Sequence, residues 1–86
     1  MTDIDEDAVA RTILSLATAR AGGTICPTDA ARAASGTPDW HPLLPVVRRV
    51  AVRLALEGRL VITRKGKPVD PTDFKGVYRL GLPRND

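Results

Sequence analysis

Val9, Ile13, Leu16 and Ala17 recur at the spacing that gathers apolar side chains on one face of a helix. This pattern predicts a first helix over residues 3–21. Asp3 is placed to cap it, with Glu6 three residues on as in a capping box. Asp5, Glu6 and Asp7 fall in its first turn, where carboxylates complement the positive end of the helix dipole. Gly22-Gly23 ends it. Thr24-Ile25-Cys26 is extended but too short for more than an edge bridge. Pro27 suits the first position of a second helix over 27–35, stopped by Gly36. Its alanines (Ala30, Ala31, Ala33, Ala34) permit close approach to neighbours. Pro38, Pro42 and Pro45 oppose continuous helix, so residues 37–44 read as an irregular turn. A third helix follows over 45–57, with Val47, Val50, Ala51 and Leu54 on one face and Arg48, Arg49 and Arg53 on the other, interleaved with Val52 and Leu56. Residues 59–64 alternate and are β-branched, the mark of a strand. Lys65-Gly66-Lys67-Pro68 breaks it as a turn, and Asp70 to Asp73 continues as loop. Residues 77–82 form a second strand, with Tyr78, Leu80 and Leu82 on one face.

The order helix, short strand, helix, helix, strand, long loop, strand is that of a winged helix, an α+β fold, here expected as one domain spanning residues 1–86. Residues 52–61, Val-Arg-Leu-Ala-Leu-Glu-Gly-Arg-Leu-Val, resemble the third-helix-to-wing junction of that superfamily, in which a leucine, a glycine four residues later and an apolar strand follow in turn. From about residue 10 to residue 82 the chain also resembles a bacterial family of small domains of unknown function. That likeness rests on Ile25-Cys26-Pro27-Thr28-Asp29, on Asp39-Trp40 and on Lys65-Gly66-Lys67-Pro68-Val69-Asp70-Pro71. It implies a winged-helix-like fold and brings no activity, substrate or binding residues.

Composition narrows the core. The apolar fraction is 43%, but eleven of those residues are alanines with little area to bury. The core is therefore expected from Val9, Ile13, Leu14, Leu16, Ile25, Val47, Val50, Leu54, Leu60, Ile62, Leu80 and Leu82. Trp40 is expected to anchor the 37–44 turn in that core. No stretch approaches the roughly 18 apolar residues of a membrane helix. The acidic start, Met1 to Asp7, is unlike a basic export signal. A single cysteine fits a reducing compartment, so a cytoplasmic location is expected. With no long helix left for a coiled coil, a monomer or weak homodimer is expected.

Charge separates the two halves. Residues 1–43 carry three arginines against six carboxylates, whereas residues 44–86 carry ten Lys/Arg against four. A basic half raises the expectation of a polyanionic partner. In a nucleic-acid-binding winged helix the third helix enters the major groove and the wing follows the backbone. Here Arg48, Arg49 and Arg53 would come from the helix, and Arg64, Lys65 and Lys67 from the wing. The plain alternative is a solvated face. Against compact groove reading stand the eight-residue turn before the third helix, longer than the usual 3–4, and the apolar Val52 and Leu56 among the arginines. Those two residues support a rival reading, a protein-interaction module using the same surface.

Other chemistry is poorly supplied. Three aromatic residues are too few to stack successive bases, which favours double-stranded DNA over single strands. Cys26 before a helix start could favour thiolate, but its only candidate base, His41, lies beyond a helix, and a structural cysteine is the simpler reading. One cysteine and one histidine cannot close a zinc site. Asp3, Asp5, Glu6 and Asp7 lack the glycine and closing glutamate of a calcium loop. Lys65-Gly66-Lys67 lacks the glycine spacing and Ser/Thr of a phosphate loop, and reads as a hairpin tip exposing two lysines. No cofactor, metal or catalytic centre is expected, and the chain is read as no enzyme.

Overall fold

A computed structural model describes residues 5–20 and 22–83. Helix α1 spans Glu6–Ala19 and is capped by Asp5, whose carboxylate accepts from the Asp7 and Ala8 amides at 3.0 and 3.2 Å. The helix is shorter than residues 3–21. The expected cap, Asp3, lies outside the described residues. A carboxylate at Asp5 satisfies two of the orphan amides that open any helix, which sets the start there.

Helix α2 covers Pro27–Ala34, with Cys26 as its N-cap residue and the Asp29 carboxylate accepting from the Cys26 amide at 3.3 Å. Helix α3 covers Leu44–Leu56 and runs on from a 3-10 turn at His41–Leu43. The segment expected to be irregular is thus helical in its second half. Pro42 and Pro45 each sit in a first turn, where the missing N–H has no intrahelical acceptor to lose.

Strand β1 (Val61–Arg64) lies between β2 (Lys67–Pro68) and β3 (Arg79–Gly81), all antiparallel. Both long strands are shorter than expected, and β2 was read as part of a turn. Ile62 pairs with Leu80, and Ile25 bridges the far side of Leu80 through paired bonds of 2.8 and 2.9 Å. Ile62, Leu80 and Ile25 therefore project from one face of the sheet and are all buried. The β1–β2 connection is Lys65-Gly66, with φ of 52° and 81°. Positive φ at both central residues gives the turn whose twist suits a two-residue hairpin, and glycine meets that demand without strain. The whole is an α+β, winged-helix-like arrangement of three helices and a three-stranded sheet.

The core corrects the expectation in one respect. Ala10, Ala17, Ala30, Ala31 and Ala51 belong to it, and the last four have no exposed surface. Small area did not exclude them, because close helix packing selects side chains that let backbones approach. Val46, Phe74 and Tyr78 are also buried, while Leu14, Leu16 and Leu82 are only half-buried against the cluster. Trp40 is half-buried as well. Its ring stacks on His41 at 3.9 Å, and the Arg32 guanidinium lies 4.9 Å from the ring centre. No helix among the described residues is long and apolar enough to cross a membrane.

Candidate nucleic-acid interface

Helix α3 buries Val46, Val47, Val50, Ala51 and Leu54, so its helical spacing turns Arg48, Arg49, Arg53 and Leu56 outward and leaves Val52 at the margin of the core. The three arginines do not share one environment. The Arg49 guanidinium meets the Glu6 carboxylate of α1 at 3.1 Å. Arg53 lies 3.7 Å from Asp7 of α1 and 3.8 Å from Glu57, one turn on along the chain. The acidic first turn of α1, read in the sequence as dipole complement, thus also faces α3. No local signal could have shown this, since Glu6 and Arg49 stand 43 residues apart. These pairs are solvated, and each contributes only about 0–1 kcal/mol.

Arg48 turns the other way, towards the segment that joins β2 to β3. This segment, residues 69–78, forms a strap beside α3. Arg48 donates to the Phe74 carbonyl at 2.8 Å, and its guanidinium carbon lies 4.1 Å from the Phe74 ring centre and 5.8 Å from that of Tyr78. The two rings meet edge to face, 5.1 Å apart, the arrangement their quadrupoles favour. Phe74 and Tyr78 fasten the strap to the core, and Arg48 covers them.

Arg64 reaches the same strap from the sheet. Its Nε donates to the Val77 carbonyl at 3.2 Å. Gly76, at φ +84°, lets it pass, for a Cβ there would stand 3.0 Å from the Arg64 guanidinium. The structure therefore brings Arg48 and Arg64 to one four-residue stretch, Phe74 to Val77, while Arg49 and Arg53 face α1. Lys65 and Lys67 are exposed at the hairpin. Lys75, exposed at the middle of that stretch, was missed in the sequence because it sits in a loop without periodicity. Among the described residues no carboxylate lies within ion-pair distance of Arg48, Arg64, Lys65, Lys67 or Lys75.

Next to Arg48 the surface becomes apolar. Pro27, Leu44, Pro45, Val77 and Tyr78 line a shallow groove at the N-terminal ends of α2 and α3. Val77 is 83% exposed and Leu56 63%, whereas Val52 is half-buried against the core. Cys26 is half-buried beside the groove. His41 is exposed, stacked on Trp40 and 3.6 Å from Asp39.

Burial pushes the Tyr78 phenol above its ordinary value near 10, with Arg48 opposing the shift. The fold therefore favours the neutral phenol. Its contribution to stability is complete below pH 10 and declines as pH rises through the folded-state value. The chain has one tyrosine, so phenolate absorbance reports on Tyr78 alone. The folded chain should titrate above the denatured chain, and Arg48→Gln should raise the folded midpoint further. Coincident folded and denatured midpoints would contradict the burial of the phenol.

The family described as protein of unknown function, DUF3253, has a model that matches residues 6–83. The chain belongs to the DUF3253 family. The matched span opens at the first residue of α1 and closes past β3, so the DUF3253 region takes in every element of the fold. This agrees with the small family of unknown function that the sequence motifs suggested. No curated protein matches this DUF3253 chain.

Proposed function

We propose that the chain binds duplex nucleic acid through α3 and the wing, as a binding module without chemistry of its own. The supporting observation is the convergence of Arg48 from α3 and Arg64 from β1 on the strap, which draws a cation from the helix and one from the sheet to the same four-residue stretch. Guanidinium groups suit phosphate because their planar donor fork matches its oxygens. Lys65 and Lys67 extend the same charge along the hairpin.

The test is fluorescence anisotropy of the full chain with random duplex DNA across a salt series. If about four to six phosphates are contacted, log affinity should fall against log salt with a slope near −4 to −5. Arg48→Gln/Arg64→Gln, checked for fold by circular dichroism, should bind more weakly and with a shallower slope. A flat salt response would sink the reading. The second reading is a protein-docking surface, favoured by the exposure of Val77 beside the apolar groove. Binding of a protein partner that is insensitive to salt and abolished by Val77→Asp would favour it over DNA.

A further inference from the structure

We infer that phosphodiester is taken by the strap, with Lys75 between Arg48 and Arg64, and that Glu6 and Asp7 of α1 withhold Arg49 and Arg53 from it. This rests on the duplex-binding reading and narrows it to a different set of residues. On the outer face of α3 and just past its end, Arg49, Arg53 and Arg59 stand against three carboxylates, Glu6, Asp7 and Glu57, at 3.1 to 3.8 Å. A phosphate approaching Arg49 or Arg53 competes with a carboxylate already in place, and the group as a whole carries no net positive charge to draw it in.

The strap presents the reverse situation. Arg48 and Arg64 are held by main-chain carbonyls, at Phe74 and Val77, which leave their full charge uncancelled. A guanidinium carries five N–H donors, and among the described residues Arg48 and Arg64 each donate one protein hydrogen bond. The Phe74 ring under Arg48 and the bond from Arg64 to the Val77 carbonyl restrict both side chains, so less freedom remains to be lost on binding. Of the nearby acids, Asp70 is turned to the Thr72 amide and hydroxyl at 2.9 and 2.7 Å, and Asp73 is exposed with no cation in pairing distance among the described residues. Phosphate contacts of this kind carry no base information, so binding is indifferent to duplex sequence.

The experiment compares salt slopes for the full chain and three variants on two duplexes of different composition. Each lost phosphate contact lowers the slope by about 0.9. Lys75→Gln, at an exposed position with no ion-pair partner among the described residues, should therefore flatten the slope by about 0.9. Arg49→Gln/Arg53→Gln should leave it unchanged. Glu6→Gln/Asp7→Gln, which frees Arg49 and leaves Arg53 only its pair with Glu57, should steepen it by about 0.9 to 1.8. Loss of about 1.8 in slope from Arg49→Gln/Arg53→Gln, with Lys75→Gln unaltered, would overturn the inference and leave the duplex reading standing. No binding by the unaltered chain at the lowest salt overturns both.

Discussion

Leu54→Ala is expected to lower the free energy of unfolding by about 2–5 kcal/mol, the usual cost of emptying a buried leucine site. Leu54 has no exposed surface and stands on the inner face of α3, the helix that contacts α1, α2 and β1. A chain of 86 residues has roughly 4–13 kcal/mol of stability in all, at about 0.05–0.15 kcal/mol per residue. The substitution thus removes a large share of it. For a domain of this size each kcal/mol shifts Tm by roughly 4–8 °C, so a fall of at least about 8 °C is expected. Leu56→Ala, two residues away but 63% exposed, should change stability by less than about 0.5 kcal/mol. Calorimetry on the two variants is decisive, and equal losses would contradict the orientation of α3.

The second large effect concerns volume added rather than removed. Ala31→Leu is expected to destabilise by about 1–3 kcal/mol through overpacking. Helix α2 contributes only two buried residues, Ala30 and Ala31, to the core, and through them it sits against both α1 and α3. A leucine at 31 has no space without moving α2 outward. Leucine and alanine are both strong helix formers, so propensity does not explain a large difference. Ala33→Leu, on the exposed side of the same helix, should be close to neutral. A chain that tolerates leucine equally at both positions would show that α2 is not held as described.

Those two sites illustrate what could be read from the residues beforehand. Leu54 was legible because helical spacing collects it with Val47 and Val50, and burial follows from that face. Ala31 was recognised as small but not as core, since area arguments rank alanine low and say nothing about how near two helices come. Pro27 marked the start of α2 correctly because it acts on its own backbone. Strand β2 was not legible, for two residues have no period, and its pairing depends on the Lys65-Gly66 turn instead. Phe74 lies in a stretch without pattern, and its burial is decided by Tyr78 and Arg48, residues brought up by the fold. Trp40 was read as core from its residue type alone, whereas stacking on His41 keeps it at the margin.

The candidate site divides in the same way. Arg48, Arg49, Arg53 and Arg64 were identifiable from charge and spacing, but their separation into two groups was not. Whether an arginine meets a carboxylate or a carbonyl depends on which element lies opposite, a matter of tertiary contact. The outward faces of α3 and the strap are adjacent, yet Arg49 and Arg64 do different things there.

The bridge between Ile25 and Leu80 also bears on how the molecule is made. Its two halves are separated by 55 residues of chain. At a synthesis rate of roughly 5–20 residues per second, Ile25 waits roughly 3–11 s for its partner to be joined. Helices form within about a microsecond of becoming free to do so. Helices of 8 to 14 residues are marginal on their own, so a nascent chain spends seconds with Ile25 unpaired, and that interval is when chaperones and self-association compete for it.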